Sequence, residues 1–210
     1  MKLLQLMKSR RVRNLCNYIP KHRLLYAIFS YYIGKKYKIA LPYPYFLQIE
    51  VTNYCNLACS YCPRNNVVKQ TNQITYKHFR NIINSTPTLT FVNLQGLGEP
   101  FLHKDIFKMI SFASKKRIFT FTFTNSYFLS TKTIRNINNS GLNLLVMSYD
   151  DNKFSSYKLR KHTSDFHAKL KKIRSNESYP EFIGISITVN TLNFKRLKQI
   201  VNSCMIHKID

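Results

Sequence analysis

Five short stretches constrain the fold of this 210-residue chain more than any other feature. Residues 46–52, 90–95, 118–124, 142–148 and 183–189 are rich in β-branched or aromatic residues and nearly continuously apolar in places. That is how strands read when both faces of a parallel sheet are buried. Helical spacing fills the gaps between them. Residues 104–116 put Ile106, Met109, Ile110 and Ala113 on one face, and Phe194, Leu197, Val201 and Cys204 repeat the pattern near the end of the chain. Residues 76–83, 131–137 and 162–173 are weaker helices. Strand then helix, about five times over, predicts an α/β fold: a parallel sheet with right-handed crossovers, open or curled into a partial (β/α) barrel. Residues 46–210 make up this unit. Residues 1–45 precede it as a basic helical arm, with Pro42 and Pro44 marking the join.

Charge narrows the class of partner. The chain carries 33 Lys and Arg against 9 Asp and Glu, a formal net charge of +24. This excludes an ordinary near-neutral enzyme surface, while the 44% hydrophobic content excludes a disordered polyelectrolyte. Such a balance predicts nucleic acid, anionic lipid or an acidic protein as partner, or a compositional bias with no partner at all. The first 49 residues hold ten Lys and Arg and no acid; Glu50 is the first carboxylate. Arg10, Arg11 and Arg13 precede an apolar stretch at residues 24–33. That stretch is too short to span a bilayer and lacks a small-residue cleavage site. It reads as a helix packed on the main domain, or as a basic segment lying on a membrane surface.

Chemistry is concentrated in one segment, Cys55-Asn-Leu-Ala-Cys59-Ser-Tyr61-Cys62-Pro-Arg64. Three of the five cysteines fall within eight residues. One loop can wrap such thiolates around a single centre, whereas a disulfide would leave one unpaired. Zinc in a structural site takes four ligands, and no fourth sits nearby. Three cysteines can instead hold a cubane iron–sulfur cluster and leave one iron open to a small molecule. Three structural thiols are the remaining reading. The loop follows the first strand, at the end where parallel α/β folds place their sites.

The spacing C-x3-C-x2-C with Tyr61 before the last cysteine resembles the radical S-adenosylmethionine (SAM) superfamily. The flanking residues are similar to its molybdopterin-biosynthesis-like and peptide-modifying branch. The resemblance implies that Cys55, Cys59 and Cys62 bind a [4Fe–4S] cluster whose fourth iron is chelated by SAM. Other strand ends agree. Gly96-Leu97-Gly98-Glu99-Pro100 resembles the family's glycine–glutamate–proline segment at the SAM amino group, with Leu97 where the strict form has glycine. Thr124-Asn125-Ser126 resembles a T-N-G turn, with Ser126 in place of the glycine, and Ser148 with Asp150 resembles an S-x-D segment near the SAM ribose or carboxylate. The cofactor residues implied are thus Tyr61, Gly98, Glu99, Pro100, Asn125 and Ser148.

Reductive cleavage of SAM to a hydrogen-abstracting 5′-deoxyadenosyl radical is the implied activity, on a peptide or small metabolite. An RNA-modifying enzyme and a truncated, non-catalytic cluster-binding protein are the alternatives. A flavodoxin or ferredoxin is the expected reductant. The basic arm is the expected contact for nucleic acid or an anionic membrane. An oxygen-labile cluster places the protein in a reducing cytoplasm, with peripheral membrane association as a variant. The family core has six strands and five are expected here, so a partner chain completing the barrel is a further expectation. Tyr149, Asp150 and His103 lie near strand ends, but each has a bland role as rim, turn or helix-start residue.

Overall fold

The computed structural model of the protein describes residues 10–59, 61–149, 166–175, 180–189, 191, 193–206 and 209. Asp150 and residues 162–165, named above, lie outside them. Five strands form one parallel sheet in the order β1-β2-β3-β4-β5: β1 Phe46–Gln48, β2 Phe91–Asn93, β3 Phe119–Thr124, β4 Leu144–Ser148 and β5 Phe182–Ser186. All five expected strands are present, in the expected open partial-barrel arrangement, but trimmed at their ends. The first changes most. Beyond Gln48 the chain leaves β2 after one more bond, Ile49 N to Asn93 O. Thr52 then pairs antiparallel with Gln73. The tail of the first strand therefore exchanges its sheet neighbour for residues 72–74, which frees the following loop to cross the end of the sheet.

Among the described residues, α1 Arg10–Tyr18 and α2 Lys21–Tyr37 come before the sheet. The short α3 Arg64–Val67 closes the cysteine segment. The crossover helices are α4 Tyr76–Asn84, α5 Ile106–Lys115, α6 Thr131–Ser140 and α7 Phe166–Arg174, and α8 Leu197–Ile206 follows β5. Local chemistry sets two of the helix starts. Thr75 and Ser130 each turn a side-chain oxygen to a backbone N–H three residues on, at His78 and Thr133.

Alternation along the strands splits the sheet into two faces. Val92, Thr120, Thr122, Leu145, Met147 and Ile183 lie on the helix side and are fully buried. There they meet Phe79, Met109, Ile110 and Ile137, also fully buried. Burial of each large side chain contributes about 1.5–3 kcal/mol. The other face carries Phe46, Phe91, Phe119, Phe121, Phe123 and Phe182. Their rings touch edge-on or tilted at 5.7–6.4 Å between centroids, the spacing aromatic pairs prefer.

The arm seals one end of this layer. Arg23 Nη1 donates to Leu89 O and Lys116 O, at 3.2 and 3.0 Å, and Thr90 Oγ1 donates to Arg23 O. Tyr18 OH reaches Ser114 O at 3.2 Å, while Arg117 donates to the carbonyls of Asn17 and Tyr18. Leu89, Thr90, Arg117 and Ile118 all lie where the chain enters β2 and β3. The arm therefore covers the N-terminal ends of the strands and leaves the C-terminal ends clear. Hydrogen bonds from a charged donor contribute about 1.5–3 kcal/mol each. Arg117→Ala is expected to loosen the arm by about that much, seen as a lower urea midpoint and faster proteolysis of the α1–α2 segment. An unchanged midpoint and cleavage pattern would show that these bonds do not hold it.

Candidate functional site

Two glycines decide how the loop after β2 meets the segment after β1. A Cβ at Gly98 would sit 2.2 Å from Thr52 O and 2.6 Å from Tyr54 O. One at Gly96 would fall 2.2 Å from Glu50 Oε1. At Gly98 no larger residue fits without moving backbone, whereas at Gly96 the Glu50 side chain would have to move; the close approach at Gly98 allows Glu99 N to donate to Tyr54 O at 2.8 Å. Glu50, the first carboxylate of the chain, accepts from Leu97 N at 2.5 Å and fixes the loop from the other side.

Glu99 then ties this loop to the next strand. It is 2% exposed. Its Oε1 accepts from Thr124 Oγ1 at 2.8 Å and Phe101 N at 3.3 Å, and its Oε2 from Asn125 N at 2.7 Å. A buried carboxylate is tolerable only with donors of this kind around it. The bond to Phe101 N also caps the 3-10 turn Pro100–Leu102. The resemblance implied a ligand-facing role for Glu99; the structure adds its role as a clamp between two strand ends.

The cysteine loop is closed at its neck. Asn53 Oδ1 accepts from Asn72 N at 2.7 Å, and Arg64 Nε donates to Asn53 O at 2.7 Å. His103, 3% exposed, supports the neck from below. Its Nδ1 accepts from Asp105 N, which leaves the Nε2 proton to donate to Ile74 O at 2.8 Å. Its role is thus structural.

Four strand ends converge on one open cleft of about 160 Å³. Cys55, Leu57, Cys59, Tyr61 and Cys62 line it from the β1 side. Gln95, Gly96, Gly98 and Glu99 come from β2, Phe123, Thr124 and Asn125 from β3, and Ser148 from β4. Every residue singled out from the sequence as metal- or cofactor-binding is here except Pro100, which is buried at the start of its turn and does not line the cleft. Leu57, Gln95, Gly96, Phe123 and Thr124 were not singled out as site residues. Gly96 and Thr124 sit inside the motifs quoted from the sequence and Leu57 inside the cysteine segment, while Gln95 and Phe123 each directly precede a motif at a strand end. Tyr149 is half-buried against the core.

Asn125 makes the contact least visible in the sequence. Its Nδ2 donates to Asn56 Oδ1 at 3.0 Å and lies 3.7 Å from Cys55 Sγ, and its Oδ1 accepts from Tyr127 N. Leu57 N also donates to Cys55 Sγ, at 3.5 Å. The next residue, Ser126, has φ 64°, the left-handed conformation a glycine adopts freely, and its Oγ is buried without a hydrogen-bond partner. Burial pushes the Cys55 thiol up; the Leu57 N–H opposes this, Glu99 and Cys59 add to it, and Arg64 counters. Metal binding here would therefore displace a proton held more tightly than usual.

The donor set fits an iron–sulfur cubane. Among the described residues no three of His, Cys, Asp and Glu converge on a point as a single ion requires. A cubane asks less: one soft thiolate on each of three irons, from cysteines around a common cleft.

The model of the radical SAM superfamily matches residues 49–201. This chain belongs to the radical SAM superfamily. The family uses a [4Fe–4S] cluster and SAM. Among curated relatives, the tungsten-containing aldehyde ferredoxin oxidoreductase cofactor-modifying protein of Pyrococcus furiosus is 24% identical over 165 residues. That match covers 74% of this chain and 46% of the relative. GTP 3′,8-cyclase of Clostridium botulinum is 29% identical over 156 residues, covering 71% of this chain and 48% of the enzyme. The chain thus spans about half the length of the relatives it matches. Among solved structures, SuiB of Streptococcus suis bound to SAM superposes with a TM-score of 0.67 at 21% identity, covering 89% of this chain and 44% of SuiB. BtrN in complex with AdoMet and 2-DOIA gives 0.53 at 19% identity, covering 68% and 56%. These likenesses establish the partial-barrel fold.

Glu99→Gln tests the clamp. An amide has one acceptor oxygen where the carboxylate has two, so a backbone donor at Phe101 or Asn125 loses its partner. The substitution is expected to destabilise the fold by about 1–3 kcal/mol, read as a drop in thermal midpoint. Full retention of stability would show the carboxylate is not needed to join the two strand ends.

Proposed function

We propose that the chain holds a [4Fe–4S] cluster on Cys55, Cys59 and Cys62 and binds SAM beside it, in the cleft shared with Gly98, Glu99, Asn125 and Ser148. The single observation that carries this reading is convergence. The three cysteines, carried by one loop, meet the ends of β2, β3 and β4 around one cleft. When bound, the two cofactors supply one-electron cleavage of SAM and hydrogen abstraction. The chain's own residues bind, orient and shield. Gly98 admits the close packing that brings Glu99 to the cleft wall. Asn125 donates to a cluster ligand and steadies the turn after β3. Phe123 and Leu57 supply apolar wall that keeps water from the reacting centre. Tyr61, at 46% exposure, stands at the mouth. Pro100 acts from behind, by starting the turn that holds Glu99.

The substrate we propose is a peptide or a small metabolite. For the peptide, SuiB bound to its precursor peptide SuiA superposes with a TM-score of 0.68 at 22% identity, covering 89% of this chain and 42% of SuiB. We assign residues 46–210 to the catalytic core and 1–45 to the appended arm. A flavodoxin or ferredoxin is the proposed reductant. Among the described residues β5 pairs only with β4, so its other edge is where a partner chain would add a strand.

Anaerobic reconstitution with iron and sulfide, then dithionite and SAM, tests the reading. The expected result is 5′-deoxyadenosine from the native chain and none from Cys59→Ala, which also loses the cluster absorbance. A cluster that assembles but yields no 5′-deoxyadenosine would contradict the enzyme reading and favour a cluster-binding protein. Asn125→Ala gives a second readout. Donors to a ligand sulfur favour the more negative, reduced cluster. Its loss is expected to lower the midpoint potential in an EPR-monitored titration, and an unchanged potential would deny Asn125 that role.

A further inference from the structure

α2 is apolar on two faces and uses only one. Ala27 is buried and Arg23, Leu24, Tyr26, Ser30 and Ile33 are half-buried along the side that packs on the protein. On the opposite side Leu25, Ile28, Phe29 and Tyr32 form a stripe at helical spacing, 66%, 47%, 55% and 62% exposed. Large aliphatic and aromatic side chains grouped this way mark an interaction surface. Cations bracket the stripe. Lys21 is exposed at one end, Lys35 and Lys36 at the other, and residues 1–49 contain no Asp or Glu.

We propose that this stripe docks α2 flat on an anionic lipid surface. Aliphatic Leu25 and Ile28 gain by leaving water for acyl chains, whereas a nucleic acid rewards stacking rings and phosphate contacts. Lysines at both ends can bury their stems along the interface and keep their charge among anionic headgroups, and tyrosine suits the same depth. Charge also argues against a second copy of this chain as occupant, since each copy carries +24. No described helix is long and apolar enough to cross a membrane, so the helix lies on the surface. Its place in the fold fits this use. The arm covers the N-terminal ends of β2 and β3, and the cleft opens at their C-terminal ends, so docking leaves the cleft free.

The chain contains no tryptophan, so Phe29→Trp places a single, selectively excited indole in the stripe. Vesicles of phosphatidylcholine, with and without phosphatidylglycerol, are the probe, used with the full chain. On phosphatidylglycerol vesicles the expected result is a blue shift and quenching by brominated acyl chains. Val67→Trp, on α3 beside the cysteine loop, is expected to show neither. Lys35→Glu with Lys36→Glu should weaken vesicle binding by roughly tenfold or more. Ile28→Glu with Phe29→Glu should abolish cosedimentation while circular dichroism and the melting curve stay native. The proposal is overturned by absence of binding to phosphatidylglycerol vesicles, by undiminished binding of the Ile28/Phe29 variant, or by equal quenching at position 67. Salt-sensitive binding of a short RNA that displaces the vesicles and survives the Ile28/Phe29 substitutions would assign the arm to nucleic acid instead.

Discussion

The buried carboxylate of Glu99 is the contact on which the rest of the site depends. It accepts from Thr124, Asn125 and Phe101, so one side chain joins the loop after β2 to the end of β3. Its position is set in turn by a glycine. Gly98 lies so near Thr52 O and Tyr54 O that a methyl group could not be accommodated. The backbone bond from Glu99 to Tyr54 then anchors the same loop to the residue before Cys55. Three strand ends are thereby locked together by one acid and one missing side chain. A site assembled from separate strand ends needs such cross-links, because each loop alone would be free to drift by more than a reacting geometry tolerates.

Much of this was legible in the sequence, for identifiable reasons. The five strands announced themselves through continuous apolar runs, and the cysteine loop through spacing that is wholly local. The Gly98–Glu99 pair was legible because glycine and acid are both scarce in this chain and yet adjacent here. What escaped depends on contacts distant in sequence. Asn125 reaches Cys55 across seventy positions, and no periodicity signals that meeting. The first strand reads as seven residues by composition but is a three-residue ladder, because Thr52 takes Gln73 as its partner. Competition between two neighbours for one edge is decided by tertiary packing, not by propensity. His103 likewise finds its partner at Ile74, from a turn on the far side of β2.

The two ends of the sheet divide the labour. At the N-terminal ends, Arg23, Arg117 and Tyr18 bond backbone carbonyls and hold the arm against the chain. At the C-terminal ends the loops carry thiols, a carboxylate and amides around the cleft. The exposed apolar stripe of α2 belongs to the arm at the first end, and the thiols and carboxylate gather at the second. The same separation is usual in barrels, where one rim serves stability and the other the reaction.

The proposed function stands on Cys55, Cys59 and Cys62 carrying a cluster with one iron open to SAM in this cleft. The most direct measurement is the EPR spectrum of the reduced, reconstituted chain before and after SAM is added. The expected spectrum is a four-iron signal that changes when SAM binds and that is lost when any one of the three cysteines is replaced by alanine. A signal indifferent to SAM, or iron retained in the alanine variants, would contradict it.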